Sequence, residues 1–125
     1  MQATNVSVSI RQAGPISLVD VSGRLTFFEV GALRDSISRL LKPGRKNIVL
    51  NLSGLQYLDS SGIGELAKIY VSVVKVGGQL KVVGLSPKDI PKISQLYQVF
   101  PEFPTEEVAL WSFPESSPKK DHLSS

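Results

Sequence analysis

Cysteine is absent from this chain, and histidine, tryptophan and methionine occur once each. Without cysteine there is no disulfide and no thiolate nucleophile, a usage that suits a reducing cytosol. The one histidine, His122, lies in a polar C-terminal stretch with no core pattern, so no serine can count on it as an oriented base. No Cys or His ligands have metal-site spacing. Neither a Gly-x-Ser-x-Gly elbow nor a Gly-x-x-x-x-Gly-Lys-Ser/Thr phosphate loop occurs. Catalytic residues, metals and cofactors are therefore not expected. A run of about eighteen apolar residues is missing as well, so no membrane insertion is expected. Met1-Gln2-Ala3-Thr4-Asn5 lacks the basic-then-apolar order of a secretion signal, which makes the cytoplasm the expected location. A dominant charge sign is also lacking: 14 basic and 11 acidic residues leave a net charge of +3. The basic residues are scattered, with small groups between Lys42 and Lys46 and at Lys119-Lys120, and no aromatics interleave with them. They read as solvated faces, and direct nucleic-acid binding is not expected.

Hydrophobic residues make up 42% of the 125, ample for one core. Val6, Val8 and Ile10 alternate with polar residues, Gln12-Ala13-Gly14-Pro15 is turn chemistry, and alternation resumes over residues 16–22. That pattern predicts an antiparallel hairpin. Gly23-Arg24-Leu25-Thr26 leads out, and Val30, Leu33, Ile37, Leu40 and Leu41 then follow helical spacing until Pro43-Gly44. Asp35 and Arg39 stand four apart on the outer face of that helix, placed to pair weakly. The segment Asn47 to Leu52 is a strand, nearly unbroken in apolar character through Ile48-Val49-Leu50 and so expected to be covered on both faces. Ser53-Gly54-Leu55-Gln56-Tyr57 reads as a connector. A long helix with Ile63, Leu66, Ala67, Tyr70, Val73 and Val74 as its stripe ends at Gly77-Gly78, and residues 80–84 are strand-like. Strand, helix and strand form a parallel crossover unit.

Ser86-Pro87 signals a further helix, regular from about Asp89, with Ile90, Ile93, Leu96 and Tyr97 inward. Residues 99–103 suit an edge strand. Thr105-Glu106-Glu107 caps a last helix carrying Val108, Ala109, Leu110, Trp111 and Phe113. From Pro114 to Ser125 the chain is Pro/Ser-rich and polar, which predicts a disordered tail after a single domain over residues 1–113. Trp111 and Tyr70 are expected at the core or its rim. The expected fold class is α/β: a mixed sheet of four to five strands with about four helices packed on it.

Between the strand and the long helix stands Leu58-Asp59-Ser60-Ser61-Gly62-Ile63-Gly64. Two hydroxyls thus fall at a helix start, where unpaired N–H groups and the positive dipole end collect. A phosphate on one of them would be favoured electrostatically. Asp59 serves either as an ordinary cap or turn residue or as the residue that fixes the loop around Ser60. Gly62 and Gly64 allow another backbone or a phosphate to come close, and glycine otherwise merely loosens a helix start.

This strand–Asp-Ser-Ser-Gly–helix arrangement resembles the STAS domain, and in particular the bacterial anti-sigma-factor antagonists. The resemblance extends from about Val6 to Phe113. It implies a single STAS domain whose phosphoacceptor directly follows the Asp of the motif, here Ser60. Ser61 is then a second cap rather than a second acceptor, and Asp59, Ser61, Gly62, Ile63, Thr26 and Phe28 belong to the motif or partner surface. The resemblance further implies a protein that is not an enzyme. Unphosphorylated, it binds an anti-sigma factor that is itself a serine kinase, which frees a sigma factor. Phosphorylation weakens the complex and a metal-dependent serine phosphatase resets it. The chain departs from its relatives at Gly23-Arg24-Leu25-Thr26, where many carry Gly-Glu/Arg-Leu-Asp, so a partner contact through that acid is lost. Of Phe27 and Phe28, one is either an exposed partner anchor or a staple at the helix entry. Two other readings remain: a non-phosphorylated STAS subunit of a lipid-transport or stress-signalling scaffold, and an α/β enzyme or nucleotide-binding protein, against which the missing acid–base residues count.

Overall fold

Val6–Ala13 (β1) and Ile16–Leu25 (β2) pair antiparallel through a tight turn, with Val8 opposite Val21 and Ala13 opposite Ile16. A computed structural model describes residues 6–26, 30–86 and 102–113 of the chain. In it β2 is followed by helix α1 (Val30–Leu41), strand β3 (Asn47–Leu58), helix α2 (Ser60–Lys75), strand β4 (Gln79–Val83), strand β5 (Glu102–Phe103) and helix α3 (Glu106–Trp111). The sheet runs in the order β1-β2-β3-β4-β5, and every pairing after the first is parallel. The mixed sheet is thus as expected. The helix predicted beyond Ser86 and the residues from Pro114 onward lie outside the described residues, which hold three helices.

Alternation in the strands sorts two cores. Val19, Val21, Ile48, Leu50, Leu80 and Val82 face α1 and α2. Ile16, Leu18, Val49 and Val83 face the other way and meet Ala109 and Phe113 of the α3 segment. Ile48-Val49-Leu50 is therefore covered on both faces, as a parallel central strand requires. On the α3 side Lys81 lies over the rings of Phe103 and Phe113, 5.1 and 4.8 Å from their centroids, and burial pushes its ammonium below the usual lysine range.

Two strand ends differ from the sequence expectation. β2 continues to Leu25 and β3 through residues 53–57, the stretch expected to be a connector. Parallel pairing survives there through two register shifts, at Asp20/Ser22 and Gly23/Arg24, with Gly54 seated tightly on Ser22. The bulged segment loses its apolar alternation, which hid it from a periodicity reading. The stripe of α2 is also rotated: Ile69 is buried, whereas Val74 is 47% exposed. Leu66 and Val73 face the core, and Lys68 and Lys75 face solvent. Ala109 of α3 and Phe113 just after it are buried, while Val108 and Trp111 are exposed. Thr105 caps that helix, its Oγ1 accepting from the Val108 amide at 3.2 Å. Asp35 and Arg39 form no ion pair among the described residues.

Candidate functional site

The C-terminal ends of parallel strands are where open α/β sheets present their sites, and the serine pair lies there. Buried Leu58 ends β3. Asp59 then adopts an extended backbone (φ −105°, ψ −176°), and its Oδ1 accepts a hydrogen bond from the Gly62 amide at 2.9 Å. The Asp59 carbonyl accepts from the Ile63 amide at 3.0 Å. Asp59 is therefore the N-cap of α2, a role worth about 1 kcal/mol over alanine. The capping role expected for Ser61 is not found, because the neighbouring carboxylate already holds the third amide of the helix.

Ser60 is the first helical residue and is exposed; Ser61 beside it is half-buried. Among the described residues neither hydroxyl has a hydrogen-bond partner. The first turn of α2 carries no acidic side chain, and Ser60 stands at its positive dipole end. Ser60 is thus presented to solvent with no structural duty.

Gly62 and Ile63 of the motif pack the helix start onto the sheet. Gly62 is buried against the end of β2: a Cβ there would stand 2.8 Å from Leu58 Cδ1 and closer still to the Leu25 carbonyl oxygen. The Asp59 amide also points at that carbonyl, 3.5 Å away. Ile63, expected on the partner surface, is 4% exposed and packs in the core. A helix start that sits on the sheet must turn its third and fourth residues inward, which accounts for both. Thr26, expected on the partner surface, follows Leu25 and is buried at 8% exposure. Phe28 lies outside the described residues.

One feature of the neighbourhood escaped the sequence reading. Glu65, in the second turn of α2, is 3% exposed. Arg34 of α1 grips it with both arms, Nε to Oε2 at 2.6 Å and Nη2 to Oε1 at 2.7 Å. The carboxylate in turn raises the Arg34 pKa above its ordinary value. Buried Gly62, Glu65, Leu66, Ile69 and Val73 share one helical face, so an acid at that spacing was the available signal. On the opposite face of the sheet Arg11 bridges Asp20 and Glu106, and Asn51 Nδ2 donates to Glu106 at 2.6 Å. That network ties α3 to three strands, away from the serines. No cluster of His, Cys, Asp and Glu fit to hold a metal ion occurs among the described residues. Among those same residues, no helix is long and apolar enough to cross a membrane.

Comparison with known proteins gives the arrangement its context. An anti-sigma F factor antagonist of Paenibacillus polymyxa is 26% identical over 109 residues, covering 85% of this chain and 93% of that protein. An anti-sigma-B factor antagonist of Bacillus subtilis is 27% identical over 84 residues, covering 67% of this chain and 76% of that one. The crystal structure of an anti-sigma factor antagonist from Mycobacterium paratuberculosis superimposes with a TM-score of 0.74 at 26% identity, over 88% of this chain and 96% of that one. The family model described as the STAS domain matches residues 7–109. The chain belongs to the STAS-domain family.

Proposed function

We propose that this chain is an anti-sigma-factor antagonist, a regulatory binding protein of the cytoplasm whose partner affinity is switched by phosphorylation of Ser60. The observation that carries the reading is the exposed, unpartnered Ser60 hydroxyl on the first residue of a helix capped by its neighbour. The relatives named as antagonists of anti-sigma factors support the partner class. In this reading the unmodified chain occupies an anti-sigma factor, which releases its sigma factor. The same anti-sigma factor is a serine kinase: the Ser60 oxygen attacks the γ-phosphorus of ATP, ADP leaves, and the hydroxyl proton is lost to solvent or to the kinase. A metal-dependent serine phosphatase returns the free hydroxyl.

The physical basis is an asymmetry between the free chain and the complex. A phosphate adds about −1.5 to −2 charges at neutral pH. In the free chain the helix N-terminus offsets part of that charge and solvent screens much of the rest. Asp59 repels it, but an exposed group can swing outward. Against a partner surface shaped for a hydroxyl, steric overlap and desolvation act together. A loss of about 2.7 kcal/mol there lowers affinity about a hundredfold. The test is capture of partners from the source cell by wild type and by Ser60→Glu. Wild type should retain an anti-sigma factor that the variant releases. Equal capture by both would overturn the switch in favour of a non-phosphorylated scaffold subunit.

A further inference from the structure

We infer that the groove between α1 and α2 is a binding site for a small anionic amphiphile, an apolar chain bearing one carboxylate or phosphate head. The groove has a volume of about 510 Å³, within the range of roughly 300–1,000 Å³ typical of small-molecule sites. Its floor is apolar: Ile37 and Ile69 are buried beneath it, and Leu41 and Ala67 line it half-buried. Val71, 55% exposed, leaves apolar surface on the rim with nothing packed over it among the described residues.

Charge selects the ligand class. Lys68 and Lys75 stand on the rim, both exposed and neither ion-paired among the described residues. Seven residues apart on one helix, they are separated by about 10 Å along its axis. Arg34 closes one end, its guanidinium committed to Glu65. Among the described residues no carboxylate lines the groove, so an anion meets attraction there and a cation meets repulsion. Ser38 and Ser72 add hydroxyl donors from the two facing helices.

Size and shape exclude the other occupants. Among the described residues no aromatic side chain lines the groove, so a nucleotide base finds no ring there to stack on. The lining runs over about two turns of each helix, from Arg34 to Leu41 and from Ala67 to Lys75. A docked partner helix needs, with its surroundings, roughly 1,000 Å² of buried surface, more than a groove bounded by two turns of each helix offers. An extended chain of eight to ten carbons with its head against Lys68 or Lys75 fits.

The site is separate from Ser60, and its test does not depend on phosphorylation. The isotope-labelled full chain is titrated with decanoate below its micelle concentration, and separately with decyltrimethylammonium. Decanoate should shift the amides of Ile37, Leu41, Ala67 and Val71 with saturation, and the cationic amphiphile should bind at least tenfold more weakly. A Lys68→Glu/Lys75→Glu variant should melt like wild type, because both positions are exposed, and should reverse the preference. Absence of saturating shifts, an equal response to both amphiphiles, or an unreversed preference in the variant would each overturn the inference. Binding to phosphatidylglycerol vesicles without any response to monomeric decanoate would overturn it in favour of a membrane surface.

Discussion

Replacing Gly62 and Gly64 by alanine, one at a time, applies the same chemical change to two glycines of one helix with opposite expected signs. In a helix interior alanine is favoured over glycine by about 0.8–1 kcal/mol. At Gly64 nothing lies within 4 Å of the added methyl, so Gly64→Ala should gain most of that and stabilise by roughly 0.5–1 kcal/mol. At Gly62 the methyl would overlap the Leu25 carbonyl and crowd Leu58 Cδ1 at 2.8 Å. The obstacle is backbone at the end of β2, which cannot rotate aside. Overpacking of this kind costs about 1–3 kcal/mol, and Gly62 lies in the first turn, where helix propensity offsets little. Gly62→Ala should therefore destabilise by about 1–2 kcal/mol net. Urea unfolding at constant m-value reads both changes as midpoint shifts of opposite direction. The midpoint should rise for Gly64→Ala and fall for Gly62→Ala. A midpoint that does not fall for Gly62→Ala would refute the close packing of the motif on the end of β2.

Leu66→Ala should cost about 2–5 kcal/mol, because the side chain is 1% exposed, while Lys68→Ala should leave chemical unfolding unchanged; equal effects would contradict the orientation of α2. Arg34→Ala strands the buried Glu65 carboxylate, so the single variant should be less stable than the Arg34→Ala/Glu65→Gln double variant, a sign that a double-mutant cycle reads directly. Arg11 holds the Glu106 carboxyl below the usual carboxylate range, with Asn51 assisting against desolvation. A depressed native pKa contributes stability that is present above the unfolded value near 4.3 and is lost as pH falls through the native value. Glu106→Gln should accordingly be less stable than wild type at neutral pH, and the two should converge in acid; a gap independent of pH would remove the ion pair from the account.

Much of this fold is legible in the residue pattern. The alternation in residues 6–22 marks the hairpin, the apolar run 48–50 marks a strand covered twice, and Thr105 before two glutamates marks α3. The strand length of β3 was not legible, since bulged pairing with β2 leaves exposed residues on both faces of 53–57. Asp59 and Ser60 were readable because a cap and a helix start have fixed chemistry. The inward turn of Gly62 and Ile63 was not, since it depends on where the Leu25 carbonyl lies. Arg34 and Glu65 are 31 residues apart, and only packing of α1 on α2 shows that they meet.

The assignment of Ser60 is tested most directly by incubating the chain with ATP and the anti-sigma factor that it captures, and mapping the modified peptide by mass spectrometry. Stoichiometric phosphate on Ser60, and none in Ser60→Ala, is the expected result. Phosphate on Ser61 at wild-type levels in Ser60→Ala, or no incorporation into wild type, would contradict it.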